Sequence, residues 1–258
     1  MTFKKILVGS PVYDGMEYCF ERFISSLKNI DYENFEILIV DNSRNDKFFK
    51  KIKKDKQIKA IHLNPKEKYN RRRLVLSRNK IIKYALDNNF DFILMMDSDV
   101  IPPKNILKEL INCEKDIVSG LYYSFKRVGE VMKKLPIAWK NFSEEEFQEI
   151  SKKYNLPSVV KSLENLPRHL TKEEIARKKL IEVVFPSPGC MLISKKVFSN
   201  IQYDLMIRNG KELGDDATFF ENCKNEKIRM WCHPKIKCEH LEQPKFSIHG
   251  KHPLEIKE

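Results

Sequence analysis

What the chain has little of narrows its chemistry before any motif is read. Only 8 of its 258 residues are glycine, and neither common glycine-based phosphate loop is present. A dinucleotide fold would need Gly-x-Gly-x-x-Gly after the first strand, and a nucleoside-triphosphate loop would need Gly-Lys-Ser/Thr; the chain has Gly9-Ser10-Pro11-Val12-Tyr13-Asp14-Gly15. Phosphates, if bound, must be held by other groups. No apolar run approaches the roughly 20 residues that span a bilayer, and the N-terminus enters a strand pattern at once, so neither a transmembrane helix nor a signal peptide is expected. The six cysteines (Cys19, Cys113, Cys190, Cys223, Cys232, Cys238) lack paired Cys-x-x-Cys knuckles, which argues against structural zinc. Without a secretory segment they fit reduced thiols in an intracellular protein. No recognition helix, zinc finger or aromatic-basic single-strand motif accompanies the net charge of +12, so nucleic acid is not the expected partner. That charge is a statement about long-range fields, attractive to nucleotides, diphosphates and anionic headgroups alike.

What is present reads as one large α/β domain with an insertion; 41% hydrophobic residues suffice for a core at this length. The organising stretch is Phe90-Asp91-Phe92-Ile93-Leu94-Met95-Met96-Asp97-Ser98-Asp99. Its apolar run suits a strand buried on both faces of a mainly parallel sheet. Alternation along an extended chain would point Asp97 and Asp99 to one side, at the carboxyl end of the strand, where open sheets bind ligands. Two carboxylates leave most positions of a hard divalent cation open to water and phosphate oxygens, so Mg²⁺ or Mn²⁺ bridging to a diphosphate is the natural ligand set; the alternative is an exposed acidic turn.

Around that strand the pattern is strand and helix in alternation. Lys4–Pro11 and Phe35–Val40 read as buried strands, Tyr18 to Leu27 as a helical stripe between them, and Lys56 to Leu63 as a weaker third strand. Asp41 stands at the second strand's end, suited either to accept the ring N–H of a uracil or guanine or to close an Asx turn. Arg71, Arg72, Arg73 and Arg78 lie at a loop-to-helix junction, as an anion site or as a solvated basic face. Asp116 to Tyr123 adds another strand. Residues 125–181, rich in Lys and Glu with capping-box starts at Ser143-x-x-Glu146 and Thr171-x-x-Glu174, read as a helical insertion. The core pattern returns at Glu182 to Ser194, where Gly189 serves either close approach to a ligand or an ordinary tight turn. Asp215 and Asp216 begin a helix, and Ile228 to His240 holds two strand-like runs broken at His233-Pro234. An open, mainly parallel twisted sheet flanked by helices is the expected fold.

Several of these segments together resemble one family, the inverting glycosyltransferases of family 2, which have the GT-A fold. The matching pieces are Gly9-Ser10-Pro11-Val12-Tyr13, Val40-Asp41-Asn42-Ser43, Ser77-Arg78-Asn79, Asp97-Ser98-Asp99, Gly189-Cys190, Gly214-Asp215-Asp216 and His240. The resemblance implies that Pro11 and Asp41 line a nucleoside pocket, that Arg78 helps hold base or phosphate, and that Asp97 and Asp99 hold Mn²⁺ or Mg²⁺ with the diphosphate. It further implies that His240 approaches the metal or diphosphate and that Asp216 is the general base. Two departures stand out: Asp41-Asn42-Ser43-Arg44 where the family often has Asp-Asp-Gly-Ser, and Asp215-Asp216 where it often has Glu-Asp. The expected donor is a UDP- or GDP-sugar and the acceptor a glycan, a lipid-linked molecule or a protein. Residues 1–124 would form the nucleotide-sugar half and 182–258 the acceptor-side half with the C-terminal tail. The expected location is the cytoplasm, with peripheral contact at the inner membrane face. The rival readings are a sugar-phosphate nucleotidyltransferase, whose usual Gly-rich basic N-terminal loop is absent, and a basic nucleic-acid-binding protein.

Overall fold

Apolar runs too short for buried helices become the strands of one sheet. The computed structural model describes residues 3–241, apart from 64, 65, 68, 155–166, 206, 209, 210 and 213. In chain order the first elements are β1 (Ile6–Val12), α1 (Glu17–Lys28), β2 (Phe35–Asp41), α2 (Lys47–Ile52), β3 (Lys59–His62), α3 (Asn70–Asp87) and β4 (Phe92–Met96). Next come β5 (Val100–Ile101), α4 (Ile106–Ile111), β6 (Ile117–Leu121), β7 (Tyr123–Val128), β8 (Val131–Pro136), β9 (Trp139–Asn141) and α5 (Glu144–Tyr154). They are followed by β10 (Pro167–His169), α6 (Lys172–Ala176), β11 (Ile181–Val183), β12 (Cys190–Ser194) and α7 (Lys195–Phe198). The last are β13 (Ile207–Arg208), β14 (Lys211–Glu212), α8 (Asp215–Asn225), β15 (Met230–Lys237) and β16 (Glu239–His240).

The main sheet has eight strands in the order β11-β15-β6-β12-β4-β1-β2-β3. The pairs β1/β2, β2/β3, β1/β4 and β6/β15 are parallel, while β12 runs antiparallel to both β4 and β6, and β11 antiparallel to β15. This is the mixed, mostly parallel α/β sheet of a GT-A fold. After β1 the chain moves outward to β2 and β3, then returns to lay β4 on the other side of β1. The crevice outside the carboxyl ends of β1 and β4 is therefore a topological switch point, the place where open sheets take ligands.

Each face of the sheet buries its own core. Phe20, Phe23, Ile24 and Leu27 of α1, spaced three and four apart, pack with Val8, Leu94 and Leu192. On the opposite face Val75, Ile81, Ile82 and Ala85 of α3 and Phe219 and Phe220 of α8 pack with Leu7, Val40 and Ile193. Among the described residues no helix is long and apolar enough to cross a membrane.

The structure departs from the sequence reading in three places. Asp97-Ser98-Asp99 is not extended: the Val100 N–H donates to the Asp97 carbonyl at 3.0 Å, closing a turn between β4 and β5. A turn rather than strand alternation presents the two acids. The run from Ile228 is not broken at His233-Pro234; β15 continues through it, with an irregular register between Cys232 and Lys237 where the proline sits. Third, the 125–181 insertion is not purely helical. Its two capping boxes form, with Ser143–Glu146 and Thr171–Glu174 bonding reciprocally, but a hairpin of β7 and β8 precedes them and a β9/β10 ladder flanks them. The hairpin was hidden by the adjacent basic pairs Lys126-Arg127 and Lys133-Lys134, which read as helical composition but sit on an exposed two-stranded ribbon. Residues 155–166 of the insertion and the tail 242–258 lie outside the described residues.

Candidate functional site

Four carboxylates meet at the switch point, and one arginine holds three of them. Arg78, in the third turn of α3, is only 1% exposed. Its Nη2 donates to Asp97 Oδ1 at 3.0 Å, its Nη1 donates to Asp216 Oδ1, and its Nε lies 3.2 Å from Asp215 Oδ2. Each guanidinium nitrogen thus faces an acid. The neighbouring Asn79 fixes the other side of the group: its amide donates to the Tyr203 carbonyl at 2.8 Å and its carbonyl accepts from the Tyr203 N–H at 2.9 Å. That clamp sets the Tyr203 ring 5.0 Å from the Arg78 guanidinium, where it stacks on Phe219 at 4.5 Å. The Ser-Arg-Asn run is therefore a buried fastening between α3, β4 and α8.

The fourth acid, Asp99, meets His240. The β5/β16 pairing opposes His240 to Val100, and His240 Nε2 comes within 3.5 Å of Asp99 Oδ2. Tyr122, just past the end of β6, packs its ring at a tilt against that of His240, 5.3 Å between centroids, and its hydroxyl accepts from the Gly189 N–H at 3.4 Å. Gly189 closes the arrangement: a Cβ there would stand 2.8 Å from Asp97 Oδ2 and 3.0 Å from Val100 Cγ2. The residue is a glycine because the Asp97 carboxylate needs that space.

Among the described residues, one permanent cation among the four acids leaves the cluster short of positive charge. Burial raises the Asp216 carboxyl; Arg78 opposes this, Asp215 and Asp97 reinforce it, and the group is pushed up to about 7. Asp97 is raised too, by burial first and by Asp99 and Asp215, against the pull of Arg78. A carboxylate near neutrality can take a proton from a hydroxyl, and unneutralised strand-end oxygens suit a hard divalent ion. Asp97 Oδ2, beside Gly189, and the Asp99 carboxylate are oxygen donors of that kind. Among the described residues no three Asp, Glu, His or Cys side chains converge as a preformed metal site, and Asp97 Oδ1 is turned to Arg78. The donor set fits an ion that takes most of its ligands from elsewhere, such as a diphosphate.

The other expected residues behave differently. Pro11 is buried in β1 opposite Val40. Asp41 is fully buried and both its oxygens are engaged: Oδ1 accepts from the Ser43 N–H at 3.2 Å and the Ser43 hydroxyl at 2.5 Å, and Oδ2 contacts His62 Nδ1 at 2.7 Å. The four arginines at the start of α3 divide. Arg71 and Arg72 are exposed, whereas Arg73 is 7% exposed and donates to the Asn42 carbonyl at 3.0 Å. Sequence reasoning missed Tyr122 and Tyr203. The position of Tyr122 at a strand end was its available signal; nothing local marks Tyr203.

The model of Glycosyl transferase family 2 matches residues 8–202, which takes in Arg78, Asp97, Asp99 and Gly189 and ends before Asp215, Asp216 and His240. No curated protein matches the chain. With three quarters of its length matched and the mixed eight-stranded sheet behind it, the chain belongs to glycosyl transferase family 2.

Proposed function

We propose that the chain is a metal-dependent, inverting glycosyltransferase that moves a hexose from a UDP- or GDP-sugar to an acceptor hydroxyl. The observation that carries the reading is Arg78, whose single guanidinium spans Asp97 on the donor side and Asp216 on the acceptor side. Asp216, with its carboxyl near 7, takes the acceptor's proton as that oxygen attacks the anomeric carbon, and one displacement inverts the centre. Asp97 and Asp99 would hold Mn²⁺ or Mg²⁺, which neutralises the charge that builds on the leaving nucleoside diphosphate. His240 orients Asp99 and faces the diphosphate, and Gly189 leaves room beside Asp97. Pro11 and Asp41 form the floor of the nucleoside pocket, Asp41 through the Ser43 and His62 groups it fixes. Arg78 acts as a positioning residue that keeps the acids apart, rather than as a base or phosphate contact.

In this reading residues 1–124 bind the donor, 182–258 supply the base, and 125–181 border a glycan, lipid-linked or protein acceptor at the cytoplasmic side. The bridge from Trp139 to Phe185 ties that insertion to the segment leading into Gly189. The donor is found first: a thermal-shift panel of UDP- and GDP-sugars with and without Mn²⁺ should single out one nucleotide, since a ligand of the native state raises its apparent stability. Asp216→Asn then keeps the shape and removes the base, so single-turnover transfer should fall by roughly 10²–10⁴-fold with donor affinity little changed. Asp97→Ala and Asp99→Ala should abolish the Mn²⁺-dependent part of nucleotide binding. Near wild-type transfer by Asp216→Asn, with transfer lost in Asp215→Asn, would move the base to Asp215.

A further inference from the structure

The β7/β8 hairpin stands outside the main sheet and carries an unusual surface. It turns through Gly129-Glu130, with Gly129 at φ +62° as the first of a two-residue loop, a backbone that favours glycine. Its register sets Val128 opposite Val131 and Lys126 opposite Lys133. Because opposed and alternate residues of a ribbon share a face, all four side chains lie on one side, the valines at the tip and the lysines behind them. Val128 and Val131 are 43% and 54% exposed. Arg127 and Lys134 bring the ribbon to four cations against the single acid Glu130. Two like charges directly opposite each other destabilise a ribbon in water. An external anion between them would relieve that repulsion.

We propose that this hairpin docks the protein on an anionic lipid surface. The valine pair lies two residues beyond the lysine pair, about 7 Å at the usual strand rise. That is the depth at which interfacial apolar side chains sit below the headgroups, with the lysines then level with lipid phosphates and carboxylates. A nucleic acid or other soluble polyanion would use the lysines and leave the exposed valines in water. At its root the hairpin contributes Tyr123, Phe125 and Lys134 to a cavity of about 480 Å³ that His240 and Tyr18 also line. The inference rests on the hairpin's own residues and does not depend on the reaction assigned to the acids.

The test is sedimentation of the full chain with phosphatidylcholine vesicles, with and without phosphatidylglycerol, alongside retention on heparin. Binding is expected only with phosphatidylglycerol. Lys126→Ala/Lys133→Ala should lower the partition about 25-fold, at about 1 kcal/mol for each cation near the surface. Val128→Ser/Val131→Ser, which removes the apolar tip without adding charge, should strongly reduce vesicle binding while leaving heparin retention unchanged. Val131→Trp reports insertion without loss of binding, through a blue shift of tryptophan emission on phosphatidylglycerol vesicles. No binding to those vesicles, equal binding by wild type and both double variants, or a Val131→Trp spectrum unmoved by vesicles would each overturn the proposal. Vesicle binding that survives Val128→Ser/Val131→Ser while tracking heparin retention would mean a soluble polyanion is the partner instead.

Discussion

Replacing Arg78 by methionine tests the electrostatics of the site at its centre. The side chain is 1% exposed, and removing it leaves Asp97, Asp215 and Asp216 facing one another without their shared counter-charge. Taking one partner from a buried ion pair costs about 3–5 kcal/mol, because the remaining charge is stranded out of water. At roughly 2–4 °C per kcal/mol for a chain of this size, the unfolding midpoint at pH 7.5 should fall by roughly 6–20 °C. Packing loss alone would also lower the midpoint, so the discriminating measurement is its pH dependence. Without Arg78 the Asp97 and Asp216 carboxyls rise further above their unfolded values, and the native state binds more protons than the unfolded chain between those values. Stability of the variant must then increase as pH falls through that interval, closing much of the gap to wild type near pH 5. Arg78→Lys, which supplies one compact charge in place of a three-way fork, should be intermediate. A midpoint lowered by less than about 3 °C, or a deficit that is the same at pH 5 and 7.5, would refute the argument.

Other expectations follow from individual contacts. Gly189→Ala would put a methyl group 2.8 Å from Asp97 Oδ2; overpacking of this kind costs about 1–3 kcal/mol, and the displaced carboxylate should weaken Mn²⁺-dependent nucleotide binding, measured by calorimetry, more than metal-free binding. Asp41→Asn swaps an acceptor for a donor among Ser43 and His62, so denaturant unfolding should show a loss of about 1–3 kcal/mol; unaltered stability with lost nucleotide binding would mean that Asp41 faces the ligand. In the insertion, burial raises the Glu174 carboxyl but the bonds from Arg168 and the Thr171 N–H outweigh it, taking it from 4.5 down to about 2. Its contribution to stability is present above pH 4.5 and is lost as pH falls toward 2. Emission from Trp139, which packs on His169 at 4.9 Å, should change across that window in wild type and not in Arg168→Ala.

The sequence by itself determined most of the sheet and the order of the acids along it. Runs such as Ile6–Val12 and Phe92–Met96 are apolar on both faces and too short for helices, so their place in a covered sheet is a local property of composition. The reciprocal caps at Ser143 and Thr171 were legible for the same reason, since a capping box joins residues three apart. The expected Asp97, Asp99, Asp216 and His240 do gather at one end of the sheet, each beside a strand terminus or a helix start. Tertiary structure alone decided what these groups touch. Arg78 lies 138 residues from Asp216 in the chain, and only the packing of α8 against α3 makes them an ion pair. His240 reaches Asp99 through the two-residue β5/β16 pairing, and Asp41 loses its access to the cleft to Ser43 and a histidine from the neighbouring strand. Composition and spacing report which side chains are present, whereas burial and opposing charge, which set whether a carboxylate stays ionised, depend on partners that meet only when the sheet is assembled.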